Sequence, residues 1–409
     1  MSSDWRGPNV RMGQQIVPLE DLKEDPGAHS QLFVRAKVEV GYAECLCQSH
    51  GLRLVIRCSS AGRYHLAGWP GEGERHAAHC RFSKLAPGLS GRSGYTTAAI
   101  RVSAEGTSIR FVSPLQRQLD SAGHRSGSGV QSEASTRKAV SLVGLLHWFW
   151  EEAQLTAWHP RWRKRNWWVA ASRLRQQAAE GVLNGRPLQE VVYVVPPYRP
   201  QDAARIGEDF QRFQSRLGRH GNEERRGLMI GEIKSVAPTE WGVRLNLCHM
   251  RSPLFASAAL ADRVQVSYRS AFSAAGEAVS ARKIGIFLVE RSPRGYLTVV
   301  DMAAMLTSRT YIPCDSSNEV SMSNALTEHN RAFKKPLRYD QAEMVFPDFV
   351  LVDCDPAEYV EVYGIRGQEA YERRKRAKQL IYRRKGVRLI EWNVGEAMPS
   401  VALLHRQAS

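Results

Sequence analysis

The stretch FPDFVLVDCDPAEYVEVYG, residues 346–364, decides how the C-terminal part of this chain is read. Its two apolar runs, FPDFVLVD (346–353) and EYVEVYG (358–364), are rich in β-branched and aromatic residues and read as two successive strands. Pro347 fixes its own φ and supplies no ladder hydrogen bond, which aims Asp348 as the strand opens. Glu361 follows after 12 intervening residues, in the second strand. In a β-hairpin this spacing places both carboxylates on one edge, where they can share a divalent cation. Mg²⁺ or Mn²⁺ held by one or two carboxylates keeps waters available to attack a phosphodiester.

Outward from the hairpin, apolar spacing predicts a helix over residues 318–333, and its Glu319 offers a third carboxylate. Downstream, residues 369–385 read as a basic helix. Tyr371, Lys375, Lys378 and Tyr382 recur there at i, i+4, i+7 and i+11 and so share one face. A last strand, VRLIEWN (387–393), completes an α/β core placed in residues 311–409.

This arrangement resembles the PD-(D/E)xK superfamily of restriction-endonuclease-like nucleases, in which a helix, an Asp strand and a Glu strand recur in this order. Carried over, the resemblance makes Glu319, Asp348 and Glu361 the acidic cluster. The sequence departs from the pattern two residues after Glu361, where Tyr363 stands in place of lysine. That lysine positions the attacking water and stabilises developing charge. Some superfamily members carry the cation on the following helix instead, which makes Lys378 the candidate, with Arg374 and Lys375 behind it. Ordinary polar strand residues beside a solvated basic helix are the plain alternative.

A second constellation lies near the N-terminus. Cys45-Leu46-Cys47 is followed, after 28 intervening residues, by His76-Ala77-Ala78-His79-Cys80. Zinc takes four soft or borderline ligands in a tetrahedron, and close pairs at the two ends of a loop supply them. Cys45, Cys47, His76 and Cys80 make a Cys₃His site, with His79 able to replace His76. Four protein ligands leave no position for water, so the zinc is structural. The alternative is a buried thiol pair with surface histidines. Around this motif FVRAKVEV, LRLVIRC and SIRFV read as strands, giving a β-rich zinc module over residues 31–119. Residues 1–30 read as a mobile lead-in, and the Gly/Ser-rich residues 120–136 as a linker.

Residues 137–310 form the expected central domain. Helical spacing over residues 141–155 and 167–179, joined by a basic turn and followed by VVYVV, is compatible with a helix-turn-helix or winged-helix unit. Strands follow at LMIGEIKSV, WGVRLNLCHM, VQVSY, IGIFLVE and GYLTVVDMAAML. The turn interleaves Trp158, Trp162, Trp167 and Trp168 with Arg161, Arg163, Lys164 and Arg165. Such a surface can stack on bases and neutralise phosphates. Core packing accounts for most of these tryptophans. Glu232 and Lys234 form an E-x-K on a strand, but no Pro-Asp strand precedes them at hairpin distance, so they read as a solvated strand face.

Composition sets the setting. Fifty-seven Lys and Arg against 41 Asp and Glu leave a net charge of +16 over 409 residues. That surplus suggests a polyanionic partner, with the chain's motifs favouring DNA over a membrane surface. No apolar run reaches the ~20 residues of a membrane span, and the first residues lack a signal-peptide layout. A cytoplasmic protein is expected, its seven cysteines acting as ligands or thiols rather than as a disulfide framework.

Several stretches together, CLC with RHAAHC, SLVGLLHWFWEEAQLTAW, LMIGEIK, MLTSRTYIPCDSSNE and RAFKKPLRYD with FPDFVLVD, resemble an uncharacterised family of proteobacterial plasmids and integrative elements, the domain-of-unknown-function family eleven seventy-three. This implies a mobile-element setting. The fold class expected is multidomain α+β: a β-rich zinc module, a central helical and β region, and a restriction-endonuclease-like core. The leading expectation is a Mg²⁺-dependent DNA endonuclease. Its rivals are a catalytically inactive DNA-binding or adaptor protein that keeps the nuclease fold, and a factor docking on protein partners of transfer or defence machinery.

Overall fold

The computed structural model describes residues 8–58, 62–118, 138–162, 165–273, 275, 279–340, 346–364 and 368–403. The expected linker at 120–136 lies outside them, as do Arg163 and Lys164. The chain forms two compact units: residues up to 89 with 101–107, and residues 90–100 with those from 108 onward. Both stretches expected as central and C-terminal domains, 137–310 and 311–409, lie in the second unit.

The first unit contains β1 (Asn9–Met12), β2 (Gln15–Pro18), α1 (Leu19–Glu24), α2 (Ser30–Glu39), β3 (Ala43–Cys45), β4 (Leu52–Cys58) and β5 (Tyr64–Gly68). The strands make one antiparallel sheet in the order β2-β1-β3-β4-β5. Its core gathers Val10, Met12, Leu22, Phe33, Leu52 and Leu54. Two expectations are corrected here. The lead-in is folded from Asn9 onward, because Val10 and Met12 alternate inward and β1 pairs with the cysteine-bearing β3. FVRAKVEV is helix, not strand. Its buried residues are Phe33 and Ala36, one helical turn apart, while Val34, Val38 and Val40 are exposed.

The second unit starts on α3 (Leu142–Glu152), whose N-cap Ser141 Oγ accepts from Gly144 N at 3.1 Å. Leu145, Leu146, Trp148, Phe149 and Trp150 are all buried, so α3 is apolar around most of its circumference and serves as a core helix. Next come β6 (Ala157–Trp158) and α4 (Trp167–Ala178), the latter capped by Asn166. Between the two helices expected as a helix-turn-helix the chain enters a β-sheet through β6, and α3 is buried around most of its circumference. Trp148, Trp150, Trp158 and Trp167 are core residues, and Trp168 is exposed.

The unit's larger sheet is built from β7 (Val192–Val194), then, after helix α5 (Ala203–Ser215), from β8 (Gly227–Thr239), β9 (Gly242–Leu247) and β10 (Leu254–Ala256). Beyond helix α6 (Ala258–Ser267) it is completed by β11 (Arg282–Arg291), β12 (Leu297–Thr307) and β13 (Pro313–Cys314). The order is β7-β8-β9-β10-β12-β11, with β13 on β12. The long β8 also pairs with β11, so the ladder closes on itself. VQVSY, expected as a strand, ends α6. Ser257 Oγ accepts from Leu260 N and starts a helix that the following valines continue, burying Leu260, Ala261 and Val264. Glu232 on β8 is buried rather than solvated, accepting from Arg282 and from the Tyr311 hydroxyl, each at 2.9 Å.

The chain closes with α7 (Ser317–Glu328), β14 (Phe333–Lys334), β15 (Phe349–Leu351), β16 (Glu358–Tyr363), α8 (Glu369–Arg384) and β17 (Leu389–Asn393). The sheet order is β17-β16-β15-β14-β6. The meander β14-β15-β16 is antiparallel, and β17 returns parallel to β16 after α8. Side chains alternate across a strand. Phe349, Leu351, Val360 and Val362 therefore share one face, where they pack on Val320, Met322 and Leu326 of α7. Tyr359, Glu361 and Tyr363 share the other, which α8 covers through Tyr382 and Lys375. The architecture is mixed α and β with several sheets.

Candidate functional site

Asp348 stands one position before β15, where the register pairing Phe349 with Val360 continues towards Glu361. Its Oδ2 accepts from Val362 N at 2.7 Å, which turns the carboxylate towards the Glu strand. Glu361 is 1% exposed. Lys378 Nζ on α8 donates to both of its carboxylate oxygens, each at 2.9 Å, and to the Phe346 carbonyl at 2.9 Å. Tyr382 donates its hydroxyl to Glu361 Oε1 at 2.8 Å. The lysine one helical turn earlier, Lys375, sits over the Tyr363 ring at 4.3 Å and donates to Asn393 Oδ1 at 2.5 Å.

Glu319 is buried on α7 and held by Lys335, which sequence reasoning missed. Lys335 Nζ, 2% exposed at its side chain, donates to Glu319 Oε2 at 2.7 Å and to Asp315 Oδ2 at 3.2 Å. Nothing in the sequence spacing marked Lys335, because its partners lie 16 and 20 residues away. The only available sign was a Lys-Lys pair ahead of Pro336. Among the described residues, the three acids do not form a group whose ligand atoms all lie within 4.8 Å of one another.

Burial dominates the electrostatics of this interior. It pushes the Glu319 carboxyl up to about 8, against the pull of Lys335 and with the help of Asp348 and Asp315. Asp348 is raised by burial, opposed by Lys335 and reinforced by Glu361, so these two carboxylates feel each other's charge. Burial also raises Glu361, against Lys378. Burial works against the Lys335 ammonium, but Asp315, Glu319 and Asp348 outweigh it and hold its affinity for the proton above the ordinary lysine value. His147 on α3 is depressed to about 4 by burial, and its buried Nδ1 has no hydrogen-bond partner among the described residues.

The basic residues singled out from sequence divide. Arg161 and Arg374 are exposed. Arg165 is corrected: it is buried, donating to the carbonyls of Leu155 at 3.2 Å and Ala157 at 2.5 Å, with its guanidinium near the Trp158 and Trp162 rings. It secures the connection between α3 and α4 and offers nothing to a phosphate.

The first unit brings together Cys45, Cys47, His76 and Cys80. Their ligand atoms all lie within 4.8 Å of one another, the one such group among the described residues. Cys45 Sγ lies 3.6 Å from Cys80 Sγ, and His76 Nδ1 lies 3.3 Å from Cys47 Sγ and 3.6 Å from Cys80 Sγ. Strand β3 presents Cys45, and the loop around the short turn Gly73–Arg75 brings in His76. His79 and Cys58 are exposed and outside the group. The crowded thiols split their affinities for protons: neighbouring S–H groups, Cys45 first, hold Cys47 low, while Cys45 is pushed up to about 12. Three sulfurs and one imidazole nitrogen are the donor set that a tetrahedral zinc takes, so this cluster can bind structural zinc.

The model of the family described as "Protein of unknown function (DUF1173)" matches residues 20–395. No curated protein and no solved structure matches the chain. No described helix is long and apolar enough to cross a membrane.

Glu319 makes stability pH-dependent in a predictable sense. Its folded-state affinity for the proton lies above the ordinary glutamate value, so its contribution is complete below 4.5 and is lost as pH rises through about 8. Thermal unfolding across that window is expected to show a downward slope that Glu319→Gln makes shallower, the remainder coming from the raised Asp348 and Glu361. Identical slopes in the two proteins would contradict the assignment.

Proposed function

The chain belongs to the DUF1173 family, and from that premise we propose that it is a metal-dependent phosphodiesterase of the PD-(D/E)xK kind, acting on DNA in a mobile-element setting. The observation that carries the reading is Lys378 on Glu361, which lies across from Asp348 one step beyond the Phe349–Val360 pair. The cation missing at Tyr363 is supplied to the same carboxylate from the following helix.

The donor set fits a hard divalent ion: two buried carboxylates, both raised by burial and therefore stabilised by added positive charge. Asp348 and Glu361 would hold Mg²⁺ or Mn²⁺, with Glu319 and Lys335 behind them. Bound there, the ion supplies Lewis-acid polarisation and a water of lowered pKa. Lys378 orients Glu361 and places positive charge beside the reacting phosphate. Arg161 and Arg374 serve as exposed phosphate contacts, and the positive surplus of the chain favours the encounter.

One observation favours an inactive DNA-binding protein with this fold. Glu361 already accepts from both Lys378 and Tyr382 and is almost wholly buried, as a purely structural ion pair would be. Incubation of the purified protein with plasmid and single-stranded DNA in Mg²⁺ or Mn²⁺ decides between the two. The enzyme reading expects metal-dependent cutting that disappears in Asp348→Ala and falls by about 10²–10³-fold in Lys378→Ala. DNA retention by both wild type and Asp348→Ala, without cutting by either, assigns the inactive reading.

For the first unit we infer a structural zinc held by Cys45, Cys47, His76 and Cys80. Metal analysis is expected to find about one zinc per chain, lost in a Cys45→Ser, Cys47→Ser double variant together with the unit's cooperative unfolding. Zinc content unchanged by the double substitution would defeat this assignment.

A further inference from the structure

A cavity of about 500 Å³ in the second unit lies among α4, β7 and α5, and its lining is unusual for the inner side of a peripheral helix. Arg205, Asp209, Arg212 and Phe213 fall on one face of α5, at i, i+4, i+7 and i+8, and line the cavity. Such a face is ordinarily apolar and closes against its neighbour. Here only Phe213 is buried, and with Phe210 it packs on Tyr193 of β7 at ring separations of 5.3 and 5.2 Å. Arg175 from α4 and Arg216 just after α5 complete the lining.

The charges do not balance within the lining. Four guanidinium groups face two carboxylates, Asp209 and Glu190. Asp209 is shared between Arg212 at 3.0 Å and Arg205 at 3.7 Å, and Glu190 pairs with Arg186, outside the lining, at 3.9 Å. Among the described residues Arg175 donates only to the Ala171 carbonyl, at 3.3 Å, and Arg216 only to the Glu190 carbonyl, at 3.4 Å. A guanidinium has five N–H donors and is always charged, so most of the donor capacity of Arg175 and Arg216 points at no protein acceptor among the described residues. Protein crowds Arg175 while the cavity keeps it open to solvent, and desolvation followed by Arg205 makes its charge unfavourable. An anion in the cavity relieves that repulsion.

We propose that this cavity binds a phosphate-bearing ligand of nucleotide size, with Arg175 and Arg216 as its principal phosphate contacts. Forked guanidinium groups from α4 and from the residue after α5, lining one cavity, match the several oxygens of a phosphate better than a single carboxylate. The volume lies within the range of small-molecule sites, about 300–1,000 Å³, and Tyr193 with Phe213 forms an apolar wall for a sugar or base. The phosphate can belong to a free nucleotide or to the 5′ end of a nucleic-acid strand, and the chemistry recognised is the same. The inference is independent of the nuclease reading, because none of these residues holds Asp348 or Glu361 and binding here needs no divalent ion.

Isothermal titration of the full chain with ATP, pyrophosphate and adenosine, in the presence of a chelator too weak to strip zinc, tests it. ATP and pyrophosphate are expected to bind and to compete with each other, adenosine to show no binding, and Arg175→Ala with Arg216→Ala to weaken both ligands at least about tenfold. Unfolding temperature of the double variant reports whether it is folded; if it is not, Arg216→Gln alone is used, with weakened ATP binding again expected. A 5′-phosphorylated oligonucleotide that competes with ATP, while its unphosphorylated form does not, assigns the strand end; competition by neither assigns the free nucleotide. The proposal is overturned if ATP and pyrophosphate do not bind, if adenosine binds as tightly as ATP, or if a folded variant binds both unchanged.

Discussion

Glu361 is the point on which the C-terminal part of the second unit is fastened. Helix α8 is strongly polar, with Leu380 and Ile381 exposed, and among its described side chains Tyr382 is the one deeply buried. Apolar burial of about 25 cal/mol per Å² therefore contributes little to its docking. Polar contacts hold it instead: Lys378 and Tyr382 to the Glu361 carboxylate, Lys375 to Asn393 and Gln379 to Glu391. Breaking such a buried pair from one side costs about 3–5 kcal/mol, since the partner is left charged and unsolvated. The opposite face of the sheet needs no such device, because α7 packs there through Val320, Met322 and Leu326. A sheet covered by apolar packing on one side and by charge on the other is costly for stability alone.

How much of this was legible in the sequence follows from how local each signal is. The Pro-Asp strand, the Glu strand and the basic helix were readable because each is a short periodic run, and the face of α8 followed from residue spacing alone. The strand Phe333–Lys334 was not, being two residues long and defined by its neighbours β15 and β6. Lys335 was invisible for the same reason. Runs of alternating valines misled twice, in α2 and at the end of α6, where capping and one-sided burial decide for helix over β-propensity. The aromatic-basic turn misled at Arg165, since a guanidinium near two indoles can face inward as readily as outward.

The Cys₃His cluster and the buried carboxylates illustrate two uses of buried polarity. In the first unit three sulfurs and an imidazole converge within 4.8 Å, a density of donors that is stable only when a cation or shared protons link them. In the second, Glu319, Asp348 and Glu361 do not all fall within 4.8 Å of one another among the described residues, and each has its own donor: Lys335, Val362 N and Lys378. The first arrangement suits a closed structural site.

The central claim is that Asp348 and Glu361 together receive a divalent cation. Calorimetric titration of the zinc-loaded protein with Mn²⁺, in two buffers of different ionisation enthalpy, measures it directly. Binding by the wild type with release of protons, absent from Asp348→Asn, is the predicted result. No Mn²⁺ binding at millimolar concentration, or equal binding by both proteins, would contradict it.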